Sequence, residues 1–185
     1  MSSFFKKNIA SMCLTIIVLI GIILRFNLLG ANPPSLTWDE ASLGYNAYSI
    51  LQTGADEYGN KFPISIRSFD DYKPALYTYL TVPFIKIFGL NEFAVRVPSA
   101  IIGVLSILAI YFLVKELLQK WDKKYQESIA VVSAFFLAIS PWHLQFSRAA
   151  FEGNIGLFFL ITGLLFFFKA LKNGNFFYLS SILFL

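Results

Sequence analysis

The amino-acid sequence predicts an all-α protein: a polytopic transmembrane helix bundle whose first long loop carries interfacial helices. Three observations lead there. Hydrophobic residues make up 57% of the chain and charged residues 14%, and the mean hydropathy is +0.65, a balance too apolar for an ordinary soluble domain. The apolar residues come in runs that approach the ~20 residues a helix needs to cross hydrocarbon. The remaining charges gather at the ends of those runs. Among the aromatics, 21 Phe against 3 Trp suit lipid-facing and helix-packing surfaces. Basic residues flank the runs and do not line one face, so nucleic-acid binding has little support. Cys13 is the single cysteine, which excludes an intrachain disulfide.

The first span is expected at about residues 8–29. Lys6 and Lys7 precede Ile9–Leu24, no A-x-A-like cleavage site follows, and apolar character resumes through Phe26, Leu28 and Leu29, which favours an uncleaved span over a signal peptide. A loop then runs over about 30–96. Its first helix begins after Thr37, where Thr37-Trp-Asp-Glu40 forms a capping box. Leu43, Ala47, Ile50 and Leu51 share one face of that helix, and Gly54 supplies its stop. The apolar stretch Pro74–Ile85 has only 12 residues before Lys86 and is interrupted by Pro83, short for a span. It reads as an interfacial or re-entrant helix with Pro74 at its first position.

Further spans are expected at about 97–117, 127–141 and 153–171, with Pro141 ending the helical part of the middle one. Lys172-Asn-Gly-Asn175 reads as a turn, and 176–185 begins another, incomplete span. Residues 1–185 are accordingly expected to be the N-terminal part of a single transmembrane catalytic domain.

Charge decides the sidedness. If Pro74–Ile85 does not cross, Lys6, Lys7, Lys115, Lys120, Lys123, Lys124, Lys169 and Lys172 all fall on the cytoplasmic side, as the positive-inside rule expects. Eight of the 11 acids, among them Asp39, Glu40, Asp70, Asp71 and Glu152, then fall outside. Counting the stretch as a span destroys that bias. The expected protein is an integral, multi-pass cell-membrane protein with a cytoplasmic N-terminus and its loop on the outer face.

Four constellations in that layout can carry chemistry. Asp39 and Glu40 stand in the first turn of a helix, where acids complement the helix dipole. At the outer mouth of a bundle they could also take a proton from an acceptor hydroxyl, or share a divalent metal. Lys73 precedes an apolar helix, either as a snorkelling lysine or as a ligand for the phosphate of a lipid-linked substrate. Arg96, at the outer end of a span, requires a partner, which phosphate or a loop carboxylate would supply. Arg148 and Glu152 are spaced i, i+4, so they can form a local ion pair; alternatively Glu152 faces Asp39 across a metal or acceptor. His143, the only histidine, reads more simply as an interfacial hydrogen-bonding residue than as a ligand. P-loop, G-x-G-x-x-G, G-x-S-x-G and Cys/His metal-ligand patterns are absent, which removes support from nucleotide-driven transport and serine hydrolysis.

The stretches Trp38-Asp-Glu-Ala, Tyr72-Lys-Pro-Ala-Leu-Tyr77, Phe88-Gly-Leu-Asn-Glu-Phe-Ala-Val-Arg-Val-Pro-Ser-Ala100, and Ser140-Pro through Arg148-Ala-Ala-Phe-Glu152, in this order, resemble the polytopic GT-C glycosyltransferases. The resemblance is closest to glycosyltransferase family 39, which includes protein O-mannosyltransferases and the lipid A aminoarabinose transferase. It implies a GT-C-like fold and inverting transfer of a hexose or pentose from a polyprenyl- or dolichyl-phosphate sugar to a protein, lipid or glycan acceptor on the outer face. It further implies that Asp39, with Glu40 beside it, acts on the acceptor, and that Lys73 and Arg96 bind the donor phosphate; Arg148, on the same outer face, is a further candidate for that phosphate. Glu152 stands where relatives often carry Asp, as a second acid toward acceptor or metal; Lys-Pro-Ala replaces the frequent Lys-Pro-Pro. Cofactor use stays open, with Asp39 and Glu152 the candidates for a divalent metal. The alternative function is a transporter or flippase of an anionic or lipid-linked substrate. That reading calls for ionisable residues deep in spans, and the runs after Val97, Ser128 and Gly153 contain none.

Overall fold

The computed structural model describes residues 2–173; the span expected at 176–185 lies outside the described residues. In chain order the elements are α1 (Ser2–Phe26), α2 (Trp38–Thr53), β1 (Ser65–Ser68), β2 (Asp71–Pro74), α3 (Leu76–Phe88), α4 (Glu92–Leu117), α5 (Lys123–Ile139), α6 (Pro141–Arg148) and α7 (Glu152–Asn173). Among the described residues the fold is all-α apart from one short hairpin, and three helices are long and apolar enough to cross a bilayer, over Ile9–Phe26, Glu92–Leu117 and Glu152–Lys172. At 17 residues α5 is short for a span, but with α6 it makes a fourth candidate, bent by 56°. Pro141 explains the break: its ring would clash inside a continuing helix, whereas at the first position of α6 its missing N–H costs nothing.

The described chain forms two compact units. One contains Met1–Leu24, Gly103–Leu144 and the segment from Gly156. Its core is built around Ala130, Ala134 and Ala138, a small-residue stripe on α5 that packs with Ile17, Ile107 and Tyr111. Small side chains at i, i+4, i+8 let helix backbones approach closely, the usual solution where lipid removes the hydrophobic drive for association. On α1, Met12, Ile16, Leu19 and Ile23 are each at least half exposed. Such a stripe calls for an apolar surround, which agrees with a membrane protein.

The other unit contains Arg25–Ile102 and Gln145–Ile155. Its helix α2 starts as expected: Thr37 N–H donates to Glu40 Oε2 at 2.9 Å, and Glu40 N–H donates to Thr37 Oγ1 at 3.3 Å. Gly54, in the left-handed region at φ +72°, closes it. Leu43 packs with Tyr77, Val95, Ala150 and Ile155, and Ala47 with Ile85 and Ala94. Gly44 sits where a Cβ would lie 2.6 Å from Val95 Cγ2, so the close approach of α2 to α4 requires glycine.

The hairpin corrects one expectation. Pro74 is not the first residue of a helix; it ends β2, opposite Ser65. Ala75 N–H donates to the Ile64 carbonyl at 3.0 Å, which carries the pairing one residue further before α3 begins at Leu76. The connection between the strands is the two-residue turn Phe69-Asp70. Arg67 fastens it, donating from Nε to the Phe69 carbonyl and from Nη2 to Asp70 Oδ1, both at 3.0 Å.

Candidate functional site

Successive residues on a helix point about 100° apart, so Asp39 and Glu40 leave the first turn of α2 in different directions. Glu40 turns inward and is 1% exposed. Its Oε1 accepts from Arg96 Nε at 2.8 Å and from the Ala150 N–H at 3.0 Å. Its Oε2 accepts from Arg96 Nη2 at 3.2 Å and from the Thr37 N–H at 2.9 Å. These four bonds match the acceptor capacity of a carboxylate. Burial by itself would push the Glu40 carboxyl upward, but the Arg96 guanidinium and the two backbone N–H groups outweigh it and hold the group below its ordinary value.

Arg96 is equally committed. It is fully buried and gives its remaining donors to carbonyls: Nη1 to Leu29 at 3.2 Å and Pro33 at 2.7 Å, Nη2 to Ser35 at 2.5 Å. All five guanidinium N–H groups are thereby used. The loop after α1 is shaped for this. Leu28 and Ser35 adopt φ of +53° and +63°, a region that non-glycine residues rarely enter, and the resulting path aims several carbonyls inward. Arg148, half-buried at the end of α6, uses the same loop: Nη2 donates to Asn27 O at 2.9 Å and Asn32 O at 2.8 Å, and Nη1 to Arg25 O at 3.4 Å. The last of these is an end-of-helix carbonyl of α1 that needs a donor.

Asp39 turns the other way. Its side chain is 57% exposed, and its Oδ1 contacts the ammonium of Lys73 on β2, itself only 11% exposed. The hairpin therefore delivers a cation to the α2 N-terminus. Asp39 also lines a cleft of about 220 Å³. Thr37 and Glu40 share its wall, with Gln145, Phe146 and Ala149–Phe151 opposite.

Of the other residues singled out in the sequence, Glu152 begins α7 with Oε1 buried and without a hydrogen-bond partner among the described residues. His143 is fully buried in α6. Among the described residues no group of three or more His, Cys, Asp or Glu side chains is arranged to hold a metal ion. Glu40 has no acceptor position left for one, and Asp39 is shared with Lys73. Among the described residues these side chains do not form a divalent-cation site.

The structure thus brings Asp39 to Lys73 and Glu40 to Arg96, and ties Arg148 to the loop after α1. Sequence reasoning missed the carbonyl cradle of that loop, because carbonyls carry no residue-specific signature. It also missed the aromatic pair Trp38 and Phe69, whose rings stand 6.1 Å apart at 63°.

Comparison with known proteins places the chain in a family. Residues 72–185 match the family described as dolichyl-phosphate-mannose-protein mannosyltransferase. The matched stretch includes Lys73, Arg96, Arg148 and Glu152 and starts after Asp39 and Glu40. "Putative mannosyltransferase YkcB" of Bacillus subtilis (strain 168) is 28% identical over 114 residues, which are 62% of this chain and 15% of that protein. The chain therefore spans less than a fifth of the length of this curated relative. No solved structure matches.

Proposed function

Because this chain belongs to the dolichyl-phosphate-mannose-protein mannosyltransferase family, a membrane glycosyltransferase family, we propose that it carries the acceptor-activating and phosphate-binding residues of a lipid-dependent sugar transfer. The donor is a polyprenyl- or dolichyl-phosphate sugar, the acceptor a hydroxyl of a protein, lipid or glycan, and the reaction inverts the anomeric centre. One observation supports the assignment above the others: of two adjacent carboxylates, Asp39 is the exposed one, and it both lines a cleft and contacts a lysine.

In this reading Asp39 Oδ accepts the proton of the acceptor hydroxyl while its oxygen attacks the anomeric carbon. The bond from that carbon to the phosphate oxygen breaks, and its electrons leave with the lipid phosphate. Lys73 Nζ stabilises the charge that develops there. Glu40 and Arg96 are positioning residues: they fix the N-terminus of α2, and with it the direction of Asp39. Arg148 is a tether for the loop after α1. Glu152, with one unpartnered oxygen, is the further acid available to orient an acceptor. No donor on Arg96 remains for phosphate, so donor binding falls chiefly to Lys73.

Asp39→Asn tests the base. General-base removal should lower transfer from radiolabelled polyprenyl-phosphate mannose by about 10²–10⁴-fold, with membrane insertion retained. Unchanged turnover refutes the assignment. The proposed sidedness, with 30–96 on the outer face, predicts that a cysteine at Asp122 resists an impermeant thiol reagent in intact cells. Labelling at that position would invert the topology.

A further inference from the structure

Trp38 is 80% exposed and Phe69 is 62% exposed, although large aromatic side chains gain most by being buried. The two rings meet edge to face at 6.1 Å. Phe69 is also held at φ +54°, at the first central position of a two-residue hairpin turn. A positive φ at that position favours glycine, and a bulky residue there is strained. The turn therefore keeps an aromatic ring in a costly backbone conformation without the compensation of burial. Strain of this kind clusters at active sites and ligand clamps.

The placement of the pair identifies the ligand. Trp38 is the neighbour of Asp39, and Phe69 lies four residues before Lys73 on the same hairpin. The segments that bring Asp39 to Lys73 are the ones that bring Trp38 to Phe69. The result is a pair of exposed, electron-rich rings carried by the same two segments that carry the carboxylate and the ammonium. A pyranose ring has complementary chemistry: one face of C–H groups that packs on a π-surface with its negative face, and peripheral hydroxyls that bond to carboxylate and ammonium.

We propose that Trp38 and Phe69 form a platform that binds a pyranose ring beside the Asp39–Lys73 pair. This rests on the sugar-transfer reading above and adds to it the residues that grip the sugar. The ring belongs either to the donor or to a glycan acceptor, and the two sources give different results.

The test uses the intact protein in detergent and two probes, polyprenyl-phosphate mannose and sugar-free polyprenyl phosphate. If the platform holds the donor sugar, Trp38→Ala weakens binding of the first by about tenfold and leaves the second unchanged, while Trp38→Phe restores most of the affinity. If it holds an acceptor sugar, both affinities stay unchanged and KM for a mannose-containing glycan acceptor rises by a similar factor. Phe69→Gly separates binding from folding, because it relieves the turn: Tm should hold or rise while sugar binding falls. Equal weakening of both probes would show that the rings contact the lipid chain and would overturn the proposal, as would variants indifferent in every assay. An active wild type with indifferent Trp38 variants removes the platform alone; a wild type that neither transfers sugar nor prefers the mannosylated probe removes the underlying reading as well.

Discussion

Two ion pairs stand one residue apart on α2 and behave as opposites. Glu40 and Arg96 are 1% and 0% exposed, with the carboxylate oxygens and the guanidinium donors all in use. Asp39 is more than half exposed, lines a cleft and contacts Lys73. In sequence both are simply an acid on the loop and a base further along. The difference is produced by helix geometry: a step of about 100° sends one side chain into the core and its neighbour toward solvent. Availability for chemistry is therefore decided by how many bonds a group has already made.

That contrast can be broken most severely at Arg96. Arg96→Met leaves Glu40 buried with two acceptor positions empty, and loss of one partner of a buried pair costs about 3–5 kcal/mol. The expected outcome is a protein that inserts poorly or unfolds far below the wild-type Tm in detergent; a wild-type Tm would mean that the pair is not the anchor of α2.

A smaller effect should appear on acidification. The folded-state pKa of Glu40 lies below its ordinary value, so the stability it contributes is fully present above the unfolded carboxylate pKa of about 4.3 and is lost as pH falls through that value toward the folded one. Thermal unfolding between neutral pH and pH 3 should show Tm level at first and then falling. In Glu40→Gln that acid-linked fall should shrink, with Tm already lower at neutral pH.

The smallest change in stability is expected at the open pair. Asp39→Asn removes a partly exposed ion pair and one first-turn acid, about 0–1 kcal/mol, so Tm should stay within a few degrees of wild type even though transfer is lost. A large drop in Tm would place Asp39 with Glu40 as a structural residue.

Much of the scaffold was readable without coordinates because its signals are local. The box Thr37-Trp-Asp-Glu40, the stop at Gly54 and the break at Pro141 each depend on residues within a turn of one another, and each appears as expected. The hairpin was not readable. Its strands have four residues each, too few to show alternation, and its turn is Phe-Asp where Asn-Gly or Gly-X would have announced it. The pairing of Glu40 with Arg96 spans 56 residues, and no local pattern reports a contact of that range. As a result the sequence grouped Asp39 with Glu40 and left Arg96 either a phosphate or a loop carboxylate as partner, and the fold supplies the carboxylate, pairing Arg96 with Glu40 and leaving Asp39 to Lys73.

The bonds of Glu40 also impose an order on biosynthesis. Its partners lie 3, 56 and 110 residues further or earlier along the chain, so a ribosome releases the acid long before it releases Arg96, and Ala150 later still. Until α4 has been made, the charge on Glu40 must remain in water; until α6 has ended, Oε1 still lacks its second donor. The N-terminus of α2 can thus reach its final position only after most of the described chain has entered the membrane. The direction of Asp39, one residue away on the same helix turn, is therefore set late, once both Arg96 and Ala150 are in place.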